Sequence, residues 1–229
     1  MDLNHLEQQQ QQLAAAVTLH TTPDGGYVPK PKDVLCSLDI QYVEQVAYVA
    51  ADLRTWQGEP IGVFGSILPV LMPYVPQFFA FREAPLLCSL VESLRKQVQI
   101  HPNCLLIDGH GIAHPRKFGV ACAVGLQTQL PSIGCAKETL LTYQGELASP
   151  RGSTLPIMVG NQTVGVVLRT QPNIRPVFVS VGNDLSLQTA TQMVLNLAST
   201  YRIAEPLRNA DQAARALAKG ETKNINLLE

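Results

Sequence analysis

The chain has 229 residues, 46% of them hydrophobic and 15% charged, with 16 Gly and 16 Pro. That length can bury a sizeable core, and the composition excludes general disorder, collagen-like repeats and coiled coil. Seventeen Lys and Arg against eighteen Asp and Glu leave a net charge of −1. A nucleic-acid partner therefore has to be held by a local basic face, because the overall field does not attract it.

In chain order, residues 3–17 read as a polar-faced helix, and Thr22-Pro23-Asp24-Gly25-Gly26 as a loop. Strands are expected from Val34 to Asp39, from Val43 to Ala51 and from Ile61 to Pro69. A helix is expected after Pro85, with Leu86, Leu87, Leu90, Val91 and Leu94 as its apolar stripe and Glu92, Arg95 and Lys96 facing away. Cys104-Leu105-Leu106-Ile107 is short and wholly apolar, as in a strand buried on both faces. A helix over 118–128 follows, then strands over 131–135, 164–170 and 176–181, and two closing helices over 186–200 and 207–219. With no internal repeat and no long linker, this order predicts one α/β domain over 1–229, built on a mixed sheet.

The region from Phe64 to Phe81 is the most apolar, but Pro69, Pro73 and Pro76 break it, so no membrane-spanning helix is expected. The glutamine run Gln8–Gln12 stands where a signal peptide would be apolar. Five cysteines, scattered and without a CxxC pair, fit reduced thiols in a cytoplasmic protein, and nothing groups four zinc ligands.

Asp39 and Asp108 each follow an apolar strand-like run. A carboxylate held against a core is costly unless a cation or hydrogen bonds compensate it. Each could simply cap a turn. Two of them converging would make a hard, oxygen-liganded site suited to magnesium or manganese. From Gly109 to Lys137 there is no acid, while His110, His114, Arg116, Lys117 and Lys137 are present. That suits a metal beside phosphate, or else a solvated basic loop. His110 and His114 bracket glycines, so a helical ligand pair is not expected. Pro73-Tyr74-Val75-Pro76 stiffens an aromatic tip, either as a wedge between stacked bases or as a core-packed turn. Glu83 could favour a helix dipole or be a third acid for the metal site.

Ser37-Leu38-Asp39, Pro73-Tyr74-Val75-Pro76, Phe81-Arg82-Glu83, the run from Asp108 to Arg116 (DGHGIAHPR) and Ile133-Gly134-Cys135-Ala136-Lys137 together resemble the endonuclease V family, the deoxyinosine-directed nucleases. The resemblance implies a single-domain, ribonuclease H-like α/β fold with a mixed sheet flanked by helices. It implies Mg2+- or Mn2+-dependent hydrolysis of the second phosphodiester bond 3′ to a deaminated adenine in DNA. By the same likeness Asp39 and Asp108 would hold the metal, with Glu83 completing a catalytic trio. Pro73, Tyr74, Val75 and Pro76 would be the wedge. Gly109, Val120 and Gly134 would line a hypoxanthine pocket, and His114 and Lys137 would sit near the scissile phosphate. The implied partner is inosine-containing DNA, with inosine-containing RNA as the alternative, and no membrane or obligate protein partner is expected.

Three positions depart from the family's usual pattern. Gln77 stands where a glycine follows the wedge, Asn183 where a histidine is usual, and Gln188 where an acid is common. Loss of the imidazole at 183 is expected to remove a group that supports the metal or its water. Asn183 and Gln188 also raise the alternative of a catalytically impaired nucleic-acid-binding relative. An unrelated α/β hydrolase using Asp108 or His114 lacks the Gly-x-Ser-x-Gly elbow such enzymes carry.

Overall fold

The structure, a computed structural model, describes residues 3–229. Its elements in order are α1 (Leu3–Ala14), β1 (Leu19–His20), β2 (Val34–Val43), β3 (Val46–Thr55), β4 (Pro60–Pro69), α2 (Phe79–Gln97), β5 (Cys104–Ile107), α3 (Val120–Thr128), β6 (Ser132–Ala136), β7 (Thr154–Val159), β8 (Gln162–Leu168), β9 (Val177–Asn183), β10 (Leu185–Ser186), α4 (Leu187–Leu197), α5 (Glu205–Ala218) and β11 (Asn226–Leu227). Nine strands form one mixed sheet in the order β11-β4-β3-β2-β5-β6-β9-β8-β7. β2, β3 and β4 are an antiparallel meander, β5 and β6 run parallel to β2, β9 returns antiparallel to β6, and β8 is antiparallel to β9.

Side chains alternate across this sheet, as the two-residue strand period requires. Cys36, Leu38, Leu105 and Ile107 pack on one face with Leu87, Leu90 and Leu94 of α2 and Cys122 of α3. Leu35, Cys104 and Leu106 pack on the other with Met193 and Val194 of α4 and Leu207 of α5. The four residues of β5 are all buried, as their unbroken apolar run predicts. The fold is the expected α/β architecture, a mixed sheet flanked by helices. No helix among the described residues is long and apolar enough to cross a membrane.

Three expectations need correction. Asp39 does not end its strand: β2 continues to Val43 and turns through Glu44 and Gln45 into β3, with Glu44 at φ 51°. The second helix begins at Phe79, so Pro85 lies inside it. Ala80, Glu83, Ala84 and Leu87 are buried at helical spacing, and that face outweighs the one hydrogen bond a proline removes. β7 was not expected, because Pro156 interrupts its pattern. It forms the sheet's outer edge, where a proline costs no ladder bond.

Candidate active site

Register brings the two aspartates together. β2 and β5 are parallel with Leu38 opposite Ile107, and the Asp108 amide donates to the Leu38 carbonyl at 3.2 Å. Asp39 and Asp108 are thus the next pair along adjacent strands. β6, parallel to β5, delivers Lys137 just beyond its end, where the ammonium pairs with Oδ2 of Asp108. The same ammonium is 3.6 Å from Oδ1 of Asp211 on α5. Glu83 comes from α2 on the opposite layer and is buried, close enough for the Asp108 charge to act on it.

The electrostatics of this group are unfavourable by design of the fold. Burial, and then the charge of Asp108, hold the Asp39 carboxyl well above the usual carboxylate range; the Ile40 amide, donating to its Oδ1 at 2.7 Å, opposes this. Burial also raises Asp108, against the Lys137 ammonium. Glu83 is pushed up to about 8 by burial and by Asp108. Asp211 lies below its ordinary value: burial works against it, but hydrogen bonds from Arg215, the Lys137 charge and a hydrogen bond shared with Asp39 prevail. Burial disfavours the charge on Lys137, and the surrounding carboxylates more than restore it. Crowded carboxylates that repel one another need a cation, and oxygen donors of this kind suit a hard divalent ion. Among the described residues no trio of His, Cys, Asp or Glu stands in ready coordinating geometry. The carboxylates are arranged around the Lys137 ammonium, and as hard oxygen donors they fit such an ion in kind.

Beside the acids lies a cavity of about 520 Å³, lined among others by Tyr74, Pro76, Glu83, Asp108, Gly109, His114, Val120 and Lys137. That is the size range of small-molecule pockets. Tyr74 is 58% exposed at its mouth, with its ring edge-on to Phe79 at 4.9 Å between centroids. Gly109 has φ 154°, and a Cβ there would meet Val120 Cγ1 at 2.4 Å. Gly134 is not on the wall: it lets β6 approach the loop behind, where a Cβ would meet the Gly111 nitrogen at 2.4 Å. Pro73 and Val75 flank the tip and do not line the cavity. Burial lowers His110 and His114 to about 4, so both imidazoles are neutral near pH 7; His110 Nδ1 has no hydrogen-bond partner.

Two departures from the family pattern prove remote. β9 runs antiparallel to β6, with Phe178 opposite Ala136 and Asn183 opposite Ser132. Asn183 therefore stands at the far end of the sheet from Asp108. Its Oδ1 accepts from the Thr18 amide at 3.1 Å and its Nδ2 donates to the Leu130 carbonyl at 3.4 Å. Gln188 is exposed in the first turn of α4, at the same end. The expected loss of support for the metal or its water is not found, because strand direction carries position 183 away from the acids. Asp211 went unnoticed in the sequence: its i,i+4 pair with Arg215 reads as an ordinary surface ion pair.

The family model described as Endonuclease V matches residues 7–212. Endonuclease V of Geotalea uraniireducens is 37% identical over 227 residues, covering 96% of this chain and 92% of its own. That of Roseiflexus castenholzii is 46% identical over 145 residues, which span 63% of this chain and 64% of the relative. The crystal structure of Endonuclease V from Streptomyces avermitilis superposes with a TM-score of 0.84 at 33% identity, covering 95% of this chain and 93% of that one. A likeness of fold alone extends to Ciona intestinalis Endonuclease V in complex with a 24mer DNA containing an inosine. There the TM-score is 0.82 at 22% identity, over 95% and 98% of the two chains. On the matched length and these identities, the chain belongs to the Endonuclease V family.

Proposed function

We propose that the chain, as one domain over residues 1–229, is a divalent-metal-dependent endonuclease acting on hypoxanthine in DNA. It hydrolyses the second phosphodiester bond 3′ to the lesion and leaves the base in place. The observation that carries this reading is the meeting of Asp39, Asp108 and Glu83, distant in sequence, beside a cavity with an exposed tyrosine at its mouth. Family membership and the inosine-containing DNA bound by the Ciona relative support it.

Asp39 and Asp108 are the residues that would hold the ion, Mg2+ or Mn2+, with Glu83 and Asp211 within electrostatic reach. Such an ion, when bound, polarises a phosphodiester and lowers the pKa of bound water. The remaining work belongs to the chain. Lys137, released from Asp108, offers its ammonium to the phosphate. Glu83 keeps a proton on its carboxyl below about pH 8. Tyr74, backed by Phe79 and stiffened by Pro73 and Pro76, fills the space a displaced base leaves. Gly109 and Val120 offer a wall on which backbone groups can read the oxygen and ring N–H that distinguish hypoxanthine from adenine. The five free cysteines fit a reducing compartment, the cytoplasm.

The test compares matched inosine and adenine oligonucleotides, as DNA and as RNA, with magnesium, manganese or chelator. Cutting of inosine DNA, only with a divalent ion and one phosphate beyond the neighbouring 3′ bond, is the expected result. Equal cutting of adenine strands, or cutting in chelator, overturns the reading. Preference for the RNA strand would reassign the substrate.

A further inference from the structure

A polar assembly outside the acid cluster converges on one peptide. Arg116, on the loop between β5 and α3, donates from Nε to Oε1 of Gln10 at 2.5 Å and from Nη1 to Oε1 of Gln77 at 3.1 Å. Its Nη2 donates to the Gln77 carbonyl at 3.0 Å. That carbonyl also accepts from Nε2 of His114 at 3.2 Å and, more weakly, from Nε2 of Gln10 at 3.4 Å. The Arg116 amide donates to Nδ1 of His114 at 3.2 Å, which leaves the imidazole proton on Nε2, facing Gln77. Gln10 is fully buried, and its amide is anchored on the Phe118 carbonyl at 2.7 Å. The guanidinium lies 4.4 Å from the centroid of the Phe78 ring.

The geometry of Gln77 explains why it needs so many partners. Residues 75–78 form a tight turn closed by the Phe78 amide on the Val75 carbonyl at 3.1 Å. Pro76 is second and Gln77 third, with φ 67°. A proline followed by a positive φ marks a type II turn, whose third position favours glycine because a Cβ is strained there. Tyr74 immediately precedes this turn and Phe79, its ring partner, immediately follows it. The turn therefore sets the angle between the tyrosine tip and α2.

We propose that Gln10, His114 and Arg116 form a latch that holds Gln77 in the left-handed conformation and so aims Tyr74, making Arg116 a positioning residue for base selection. The activity readout of this inference rests on the function proposed above, and the structural readout does not. Arg116→Lys keeps the charge but cannot span Gln10 and Gln77 together. It is expected to lower the ratio of kcat/KM for inosine over adenine DNA roughly tenfold, mostly through KM, since small misplacements are costly in a positioned site. Chymotrypsin should cut this variant between Leu71 and Phe79 faster than the parent. Adding Gln77→Gly should restore both properties, because glycine adopts the positive φ unaided. Should Arg116→Lys fail to fold, Gln10→Met, alone and with Gln77→Gly, carries the same comparison.

Equal losses in the single and double variants overturn the latch and point to a direct phosphate contact by Arg116. Unchanged selectivity and unchanged proteolysis also overturn it. If the parent cuts no inosine strand, the functional reading fails by itself, and the chymotryptic pattern alone decides the latch.

Discussion

The near and far ends of the central sheet treat buried polar groups in opposite ways. At the far end Asn183 bonds to Thr18 and Leu130, the Ser132 hydroxyl donates to the Ala121 carbonyl at 2.8 Å, and Ser186 caps α4 through the Thr189 amide. Each is satisfied, and each ties one element to another. At the near end Asp39, Asp108 and Glu83 are pushed above their ordinary pKa values by burial. Satisfied polar groups stabilise a fold, whereas crowded, strained acids persist where chemistry needs them. The difference marks Asp39, Asp108 and Glu83 as the candidate functional positions of the sheet.

The largest expected effect lies at the near end. Asp39→Asn should lose roughly a thousandfold or more in cleavage rate, as removal of an ion's ligand implies. Because Asn resembles the protonated Asp39, thermal unfolding near pH 8 should occur at an unchanged or higher temperature. A variant that cuts normally, or one that unfolds much earlier, would erase the contrast between the two ends.

A pH series sharpens it. The Glu83 carboxyl moves from its ordinary 4.5 to about 8 on folding. The folded protein then keeps a proton that the unfolded chain has lost, so the contribution of Glu83 to stability falls as pH rises from about 4.5 to about 8 and levels off above. Asp39, also raised, adds a trend of the same sign. Between about pH 4 and 6.5 the buried neutral His110 and His114 act with the opposite sign, so in chelator the decline in Tm is expected from about pH 6.5 to 8, and Glu83→Gln should flatten it. An unaltered slope in that variant would detach Glu83 from the cluster.

Tyr74→Ala, at the cavity mouth, is expected to lower inosine-over-adenine selectivity roughly tenfold, the scale of one lost stacking contact. Discrimination equal to the parent's would remove the wedge. The smallest effect on activity is expected at the far end. Asn183→Ala should cost about 1 kcal/mol in denaturant unfolding, by removing the bonds that the buried Asn183 side chain makes to the Thr18 amide and the Leu130 carbonyl. It should nevertheless leave kcat/KM within about twofold, because strand register separates it from the acids. A large loss of activity with little loss of stability would reverse that assignment.

Much of this arrangement is legible in the chain. The apolar run 104–107 announces a doubly buried strand, and the glycines around Asp108 announce a close-packed loop. Asp39 and Asp108 can be named as partners because each follows such a run. Pro85 misleads, since its preference for a first helical turn is local while the burial of Ala80, Glu83 and Ala84 is tertiary. Gln10 is one of five consecutive glutamines, and only docking of α1 against residues 77 and 116–118 singles it out.

What the sequence determined by itself was most of the longer elements, their apolar faces and the residue types able to hold a hard cation, because periodicity and composition are local properties. What the tertiary structure alone decided was which polar residues meet. Parallel register joined Asp39 to Asp108, antiparallel return carried Asn183 to the other end, and packing of α5 on the sheet brought in Asp211. Strand direction and helix docking are set by the burial of the whole core, and no short stretch of chain encodes them.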